Sequence, residues 1–287
     1  MKKVVSLVLV VLMLATCACA FASCSSKKNV KIGVQAGTTG EFFLKGNTEF
    51  GFTGYSNVDV NGFTTGALAV ADMLNGNVDY VVIDNSVAQA LVAANSGKIK
   101  MIDYALTTED YGIGVDKNQP ELLNKINNIL KEKKNEIAAL YTKYASVTDE
   151  NSAAWSGSTV TSAVQDSSKD QLVVATNAQF APYEFTVGDK YAGIDMELAK
   201  LIADALGMEL VIKDMEFDSV VTSIGKNGVD VAISGLTINP ARAKVVSFSD
   251  PYEKGAYQVI IAKADDTTFD SCKSSEDVLK ILAELKK

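Results

Sequence analysis

The 287-residue sequence contains no histidine, which removes the commonest general base and the commonest transition-metal ligand together. Cysteine is scarce. Of Cys17, Cys19, Cys24 and Cys272, three fall close to the start, so the chain carries no disulfide framework. Positive charge is in deficit, 27 Lys and Arg against 35 Asp and Glu for a net charge of −8. That balance argues against nucleic acid or anionic lipid as the main partner. Past the first 14 residues no apolar run is long enough to cross a membrane. What is present is ordinary globular text, 47% hydrophobic and 22% charged, with length for two compact units.

The start reads as an export signal: Lys2 and Lys3, an apolar run from Val4 to about Leu14, then small residues. Two processing readings compete. Ala20-Phe21-Ala22 suits ordinary cleavage after Ala22, giving a soluble periplasmic or secreted protein. Phe21-Ala22-Ser23-Cys24 suits a lipobox, with Cys24 acylated and the protein held on the outer face of the bacterial cytoplasmic membrane.

From Val30 the text alternates between strands and helices. VKIGVQ reads as a strand running into the small-residue loop AGTTGE, which leaves backbone N–H groups of Thr38, Thr39 and Gly40 to face an anion. Residues 41–62 read as an irregular excursion. A helix follows Thr65, with Leu68, Ala71 and Leu74 as its apolar face. VDYVVID is a buried strand ending on Asp84, placed either to bind a ligand at the carboxyl end of a sheet or to cap the next helix. Strands at 99–106 and 111–117 precede one long helix from Pro120 to about Tyr144. Residues 146–170 are Ser/Thr-rich and read as a flexible linker spanning roughly 28 Å.

A second α/β text begins at Gln171. It contains a strand QLVVAT, a loop NAQFAPYEF, helices capped by Asp195 and Asp218, a strand over 256–263 and a last amphipathic helix from Ser274. Within it, ISGLTINPAR (233–242) stands out. Asn239 suits a helix N-cap and Pro240 the first helical position, so Arg242 falls in the first turn, with Ser234, Gly235 and Thr237 in the preceding loop. Arg is shaped to hold a carboxylate through two parallel hydrogen bonds. The alternation as a whole predicts two α/β lobes with mostly parallel sheets.

Residues 172–263, through LVVATNAQFAPYEF, GDKYAGIDMELAKLIADALGMEL and VDVAISGLTINPARA, resemble the first half of an extracellular solute-binding protein of polar amino acid ABC transporters (family 3, glutamine- and basic-amino-acid-binding type). Residues 30–145, through KIGVQAGTTGE, ALAVADMLNGNVDYVVIDNSVA and YGIGVDK, resemble the second half. The halves stand in reverse order, as in a circular permutant. A fusion of two incomplete binding proteins, each completed by a partner chain, is the other reading.

The resemblance implies a periplasmic-binding-protein-like (type II) fold. Its parts would be a signal peptide (1–23), a lipid-anchored tether (24–29), a second lobe (30–110 plus 264–287), a first lobe with hinge strands (111–145 plus 171–263) and a linker (146–170). A lipid on Cys24 would tether the second lobe within roughly 17 Å of the membrane. By the same resemblance Arg242 would hold the α-carboxylate of a free L-amino acid, with backbone N–H groups of Thr237 and Thr39. Asp84, the Gly235 carbonyl and the Thr237 hydroxyl would take the ammonium, with Ser234 beside them. Phe180 and Phe217 would sandwich the side chain. Asn177 and Gln35 are neutral where relatives carry charges, which implies an uncharged polar ligand. The expected partners are an ABC permease and its ATPase, with a monomeric binding protein, no cofactor and no catalysis. A sensor module, and a dehydratase-like enzyme using Glu184 as an acid, are the alternatives.

Overall fold

A computed structural model describes residues 29–147, 149–152 and 154–286. The signal peptide, Cys24 and the tether up to residue 28 lie outside the described residues. In the first part of the chain β1 (Val30–Gln35), α1 (Thr39–Lys45), β2 (Val58–Phe63), α2 (Gly66–Leu74), β3 (Tyr80–Asp84), α3 (Asn85–Ala94) and β4 (Ile99–Ile102) alternate. Then come β5 (Glu109–Tyr111), β6 (Gly114–Val115), α4 (Pro120–Glu132), α5 (Lys134–Tyr144) and α6 (Asp149–Ser152). The second part runs β7 (Gln171–Thr176), β8 (Gln179–Phe180), β9 (Glu184–Val187), β10 (Lys190–Ala192), α7 (Ile194–Leu206), β11 (Glu209–Asp214), α8 (Phe217–Ser223) and β12 (Val231–Ala232). It closes with α9 (Pro240–Ala243), β13 (Ser247–Phe248), β14 (Glu253–Ala256), β15 (Gln258–Lys263) and α10 (Ser275–Glu284).

Two five-stranded sheets organise these elements. One has the order β2-β1-β3-β15-β4 and the other β11-β7-β12-β6-β13. In the first, β1 pairs parallel with β2 and β3, and β15 is antiparallel to β3 and β4. In the second, β7 pairs parallel with β11 and β12, and β6 is antiparallel to β12 and β13. The continuous apolar runs at 80–83 and 172–175 explain why β3 and β7 sit inside their sheets, buried on both faces. The chain passes between the sheets twice. There β5 and β14 pair as a two-stranded ribbon. α10 returns to the first sheet, where Val278 and Leu282 pack in one cluster with Val30, Ile32 and Val34.

Several local expectations are corrected. The excursion at 41–62 contains most of α1 and the start of β2, an edge strand whose outward residues are polar and hide the alternation. On α2 the buried residues are Gly66, Ala69, Val70 and Met73, whereas Leu68 is 52% exposed. The long helix is two helices, turned at Lys133 with φ −94° and ψ 12°, and the expected apolar positions on both are buried. The expected strand at 99–106 stops at Ile102, and that at 111–117 resolves into β5 and β6. Asp195 and Asp218 lie inside their helices, after Gly193 and Glu216. Gln258–Lys263, expected in the first lobe as a hinge strand, pairs in the sheet built from residues 30–102.

The linker is docked rather than loose. Val160 exchanges backbone hydrogen bonds with Tyr191 at 2.7 and 2.9 Å, and the Ala163 N–H donates to Leu210 O at 2.8 Å. Trp155 stacks on Tyr144 with ring centroids 4.9 Å apart. α6 touches both α3 and β9, so this segment bridges the two halves of the fold. Docked amides exchange slowly whereas random-coil amides do not. Native-state hydrogen exchange is therefore expected to show Val160 and Ala163 protected like β10 and β11; exchange at the rate of an unstructured peptide would refute the docking.

Candidate functional site

Arg242 is set by its helix cap. Asn239 Oδ1 accepts the Arg242 N–H at 2.8 Å and Pro240 occupies the first turn, as the sequence predicts. The guanidinium is buried and donates from Nη1 to Thr237 O and from Nη2 to Gly37 O, each at 3.1 Å. The second bond crosses from the β12 side of the cleft to the β1 side. Gly37 makes it possible: its φ of +78° suits glycine, and an added Cβ would lie 3.1 Å from Asp218 Cα. The guanidinium carbon lies 5.5 Å from the Phe217 ring centroid and 5.9 Å from that of Phe50. Burial lowers its pKa to about 10, opposed by Glu109 and Asp84, so it stays charged at neutral pH.

Opposite it lies a second set of buried groups. Thr39 and Thr237 hydroxyls meet across the cleft at 3.1 Å, and Thr237 Oγ1 donates to Glu109 Oε2 at 2.6 Å. Glu109 Oε1 accepts from Thr107 Oγ1 at 2.6 Å and from Gln258 Nε2 at 3.0 Å. Asp84 stands at the cap position of α3, yet its side chain makes no cap bond and instead accepts the Tyr111 hydroxyl. Its pKa rises to about 7, through burial first and then Glu109, with hydrogen bonds from Tyr111 and Gln258 opposing.

At the far end Gln35 Nε2 donates to Asn177 Oδ1 at 3.2 Å, again across the cleft, and Asn177 Nδ2 donates to Met215 O at 2.8 Å. The Thr38 N–H, expected to face an anion, is spent on Gln35 O at 3.4 Å, and its hydroxyl bonds the same carbonyl at 2.7 Å. The Thr39 N–H sits in the first helical turn, where the helix itself provides no acceptor. The Ser234 hydroxyl points away from the cleft, to Glu184 Oε1 at 2.5 Å, and the Gly235 N–H donates to Asp195 Oδ2 at 2.7 Å. Phe180 stacks on Tyr183 with centroids 5.8 Å apart, and its ring backs Gly235. Phe217 is only half buried and lies on Arg242.

The structure thus gathers Arg242, Asp84, Thr237, Thr39, Gly235, Gln35, Asn177, Phe180 and Phe217 around one cleft. Glu109, Tyr111, Gln258 and Phe50 belong there too and were missed from sequence. Glu109 stands two places before Tyr111, the first residue of YGIG, and an acidic residue two places before an aromatic at a strand start was the available signal. Among the described residues no group of acidic or cysteine side chains could hold a metal ion, and no helix is long and apolar enough to cross a membrane.

Residues 172–287 match the family of bacterial extracellular solute-binding proteins, family 3. The chain is similar to the arginine-binding extracellular protein ArtP of Bacillus subtilis (strain 168), 40% identical over 100 residues that make up 35% of this chain and 39% of that protein. It is similar to cyclohexadienyl dehydratase of Pseudomonas aeruginosa (strain PAO1), 29% identical over 99 residues, 34% of this chain and 37% of that protein. Among solved structures, the arginine-bound form of domain 1 from TmArgBP is 38% identical, covering 43% of this chain and all of that one, with a TM-score of 0.30. The chain spans about two fifths of the length of the curated relatives it matches. Relatives of the matched part are for the most part named as amino-acid-binding proteins.

Glu109 is one of the two causes that raise Asp84. Glu109→Gln is expected to bring the Asp84 midpoint below its present value of about 7, read from its carboxyl carbon resonance across a pH series. An unmoved or higher midpoint would contradict the coupling.

Proposed function

We propose that this protein is the substrate-binding component of an amino acid ABC importer. It captures a free L-amino acid in the cleft between its halves by hinge closure and delivers it to a permease driven by its ATPase. The observation that carries this is the meeting of a buried guanidinium on α9 with a buried carboxylate at the end of β3. The two come from opposite sheets and face the same cleft. A desolvated zwitterion needs both charges met, and only the closed arrangement offers both. The ligand carboxylate would take the place of Gly37 O on Arg242, and the ammonium would join Asp84 and Glu109. The dehydratase alternative gains nothing from Glu184, which is fully buried with its Oε1 taken by Ser234. Sensing without a permease uses the same site and differs only in what reads the closed form.

The neutral amide pair of Gln35 and Asn177 favours an uncharged polar side chain. A second reading rests on Glu109: with Asp84 it outnumbers Arg242 by one charge, which a cationic side chain would balance, and ArtP is named for arginine. The permuted order within one chain is supported by sheets that each draw strands from both halves of the sequence. Val30, Leu285 and Lys286 also line one cavity of about 610 Å³, so segments that the family joins in sequence lie side by side. An anchor through a lipid on Cys24 would place the β1 sheet next to the membrane.

Calorimetry against a panel of amino acids tests the proposal and separates the side-chain readings. Binding of asparagine, glutamine or serine alone supports the first, arginine or lysine alone supports the second, and no binder at all would sink the proposal. Arg242→Ala is expected to weaken the binder by about 10–100-fold, the worth of hydrogen bonds to a charged group. Because the ammonium needs Asp84 ionised and Asp84 titrates at about 7, affinity should rise from pH 6 to 8 with proton release. Light scattering should give the mass of one chain, where an obligate dimer would favour exchange between chains. Cys24→Ala should release the protein from membranes; continued association would rule out the anchor.

A further inference from the structure

Behind the cleft, Glu184 on β9 and Asp195 on α7 are both 0% exposed, and the charge of Asp195 acts directly on Glu184. Each has its other oxygen committed. Glu184 Oε1 accepts the Ser234 hydroxyl at 2.5 Å, and Ser234 Oγ in turn accepts the Asn177 N–H at 3.1 Å. Asp195 Oδ2 accepts the Gly235 N–H at 2.7 Å and the Tyr252 hydroxyl at 2.9 Å. This leaves Glu184 Oε2 and Asp195 Oδ1 buried and without a hydrogen-bond partner, a cost that a bond between them would remove. Two carboxylate oxygens can make that bond only if one carries a proton.

The directions of the surrounding bonds say which one. Asp195 accepts from a backbone N–H and a phenol, both of which favour its anion. Glu184 accepts a single hydroxyl on one oxygen, as the carbonyl side of a neutral acid would. We propose that Glu184 and Asp195 are a one-proton positioning pair, Glu184 donating through Oε2 to ionised Asp195, that holds the Ser234–Gly235 turn and Asn177 in place for the ligand.

The pair touches no ligand itself. It acts through the turn at one end and, at the other, through Tyr252, whose N–H donates to Tyr111 O on β5 at 3.0 Å. The ligand cradle and the ribbon between the lobes are thus tied to the same buried proton. The groups facing the pair are Asp214 on β11, Glu253 on β14, Tyr252 beside it, Tyr183 before β9 and Tyr141 on α5. The two acids among them oppose a second ionisation. Burial likewise pushes Glu184 well above the ordinary carboxyl range.

The inference rests on the ligand-binding reading for its functional half and is independent of it for the proton. Glu184→Gln reproduces the neutral acid: its carbonyl accepts from Ser234 and its N–H donates to Asp195. Glu184→Ala removes both bonds. Without ligand, a group held protonated by folding costs stability as pH rises above its unfolded value, so the wild-type unfolding midpoint should fall between pH 5 and 9. Glu184→Gln should show a flatter fall. A Glu184→Gln profile as steep as wild type would overturn the shared proton.

With the amino acid identified by calorimetry, Glu184→Gln should bind within about threefold of wild type, and Glu184→Ala and Asp195→Ala at least about tenfold more weakly. Equal losses in Glu184→Gln and Glu184→Ala, with both folded, would overturn the positioning role. If wild type binds nothing in the panel, the ligand reading fails while the pH profiles still decide the pair.

Discussion

The constraint on which this structure depends is the burial of unlike charges supplied by different sheets. Arg242 is held out of water between Phe217 and Phe50, its guanidinium bonded to the Thr237 and Gly37 carbonyls. A buried charge is costly unless paired and hydrogen-bonded. Glu109 and Asp84 supply the compensating charge from across the cleft, and both are themselves buried. Neither half of the fold can satisfy these groups alone. Bringing the halves together answers the need, and it is also the motion that would enclose a ligand.

The ribbon that connects the two sheets is wired into that same set of charges. Tyr111, on β5, gives its hydroxyl to Asp84 and its carbonyl to the Tyr252 N–H, while β14 runs alongside. Glu109 on the same short strand bonds Gln258 at the start of β15. A change in which partner Asp84 or Glu109 accepts is therefore felt directly on the segments that connect the sheets. Coupling of this kind needs no long pathway, because the buried carboxylates lie on, or bond directly to, the connecting strands.

Much of the fold was legible because its strongest elements are locally consistent. Asn239, Pro240 and Arg242 fall where capping chemistry puts them, and the apolar stripe Leu122, Ile126, Ile129, Ile137, Leu140 and Tyr144 is buried as its period demands. Three things were hidden for identifiable reasons. β2 is an edge strand with alternating polar residues, so it carries no continuous apolar run. The face of Leu68, Ala71 and Leu74 looks apolar in sequence, but Ala69, Val70 and Met73 on the neighbouring face are the residues that pack. Glu109 becomes a site residue only through Thr107, Thr237 and Gln258, two of them well over a hundred positions away in sequence. Its place two residues before Tyr111 singles Glu109 out only weakly, and says nothing of which distant residues it meets.

The segment at 146–170 shows how composition misleads when context supplies the order. Ser and Thr are plentiful there, and a coil of that length would span roughly 28 Å. Yet Val160 and Ala163 add backbone pairing beside β10 and β11, and Trp155 adds an aromatic layer over Tyr144 and Phe185. Each bond replaces one to water and gains little alone. Together with the aromatic burial they offset the entropy of ordering the segment. A connection fixed in this way sets where the second half of the sequence begins relative to the first. Since α6 touches α3 as well as β9, that connection also resists separation of the two halves on one side of the cleft.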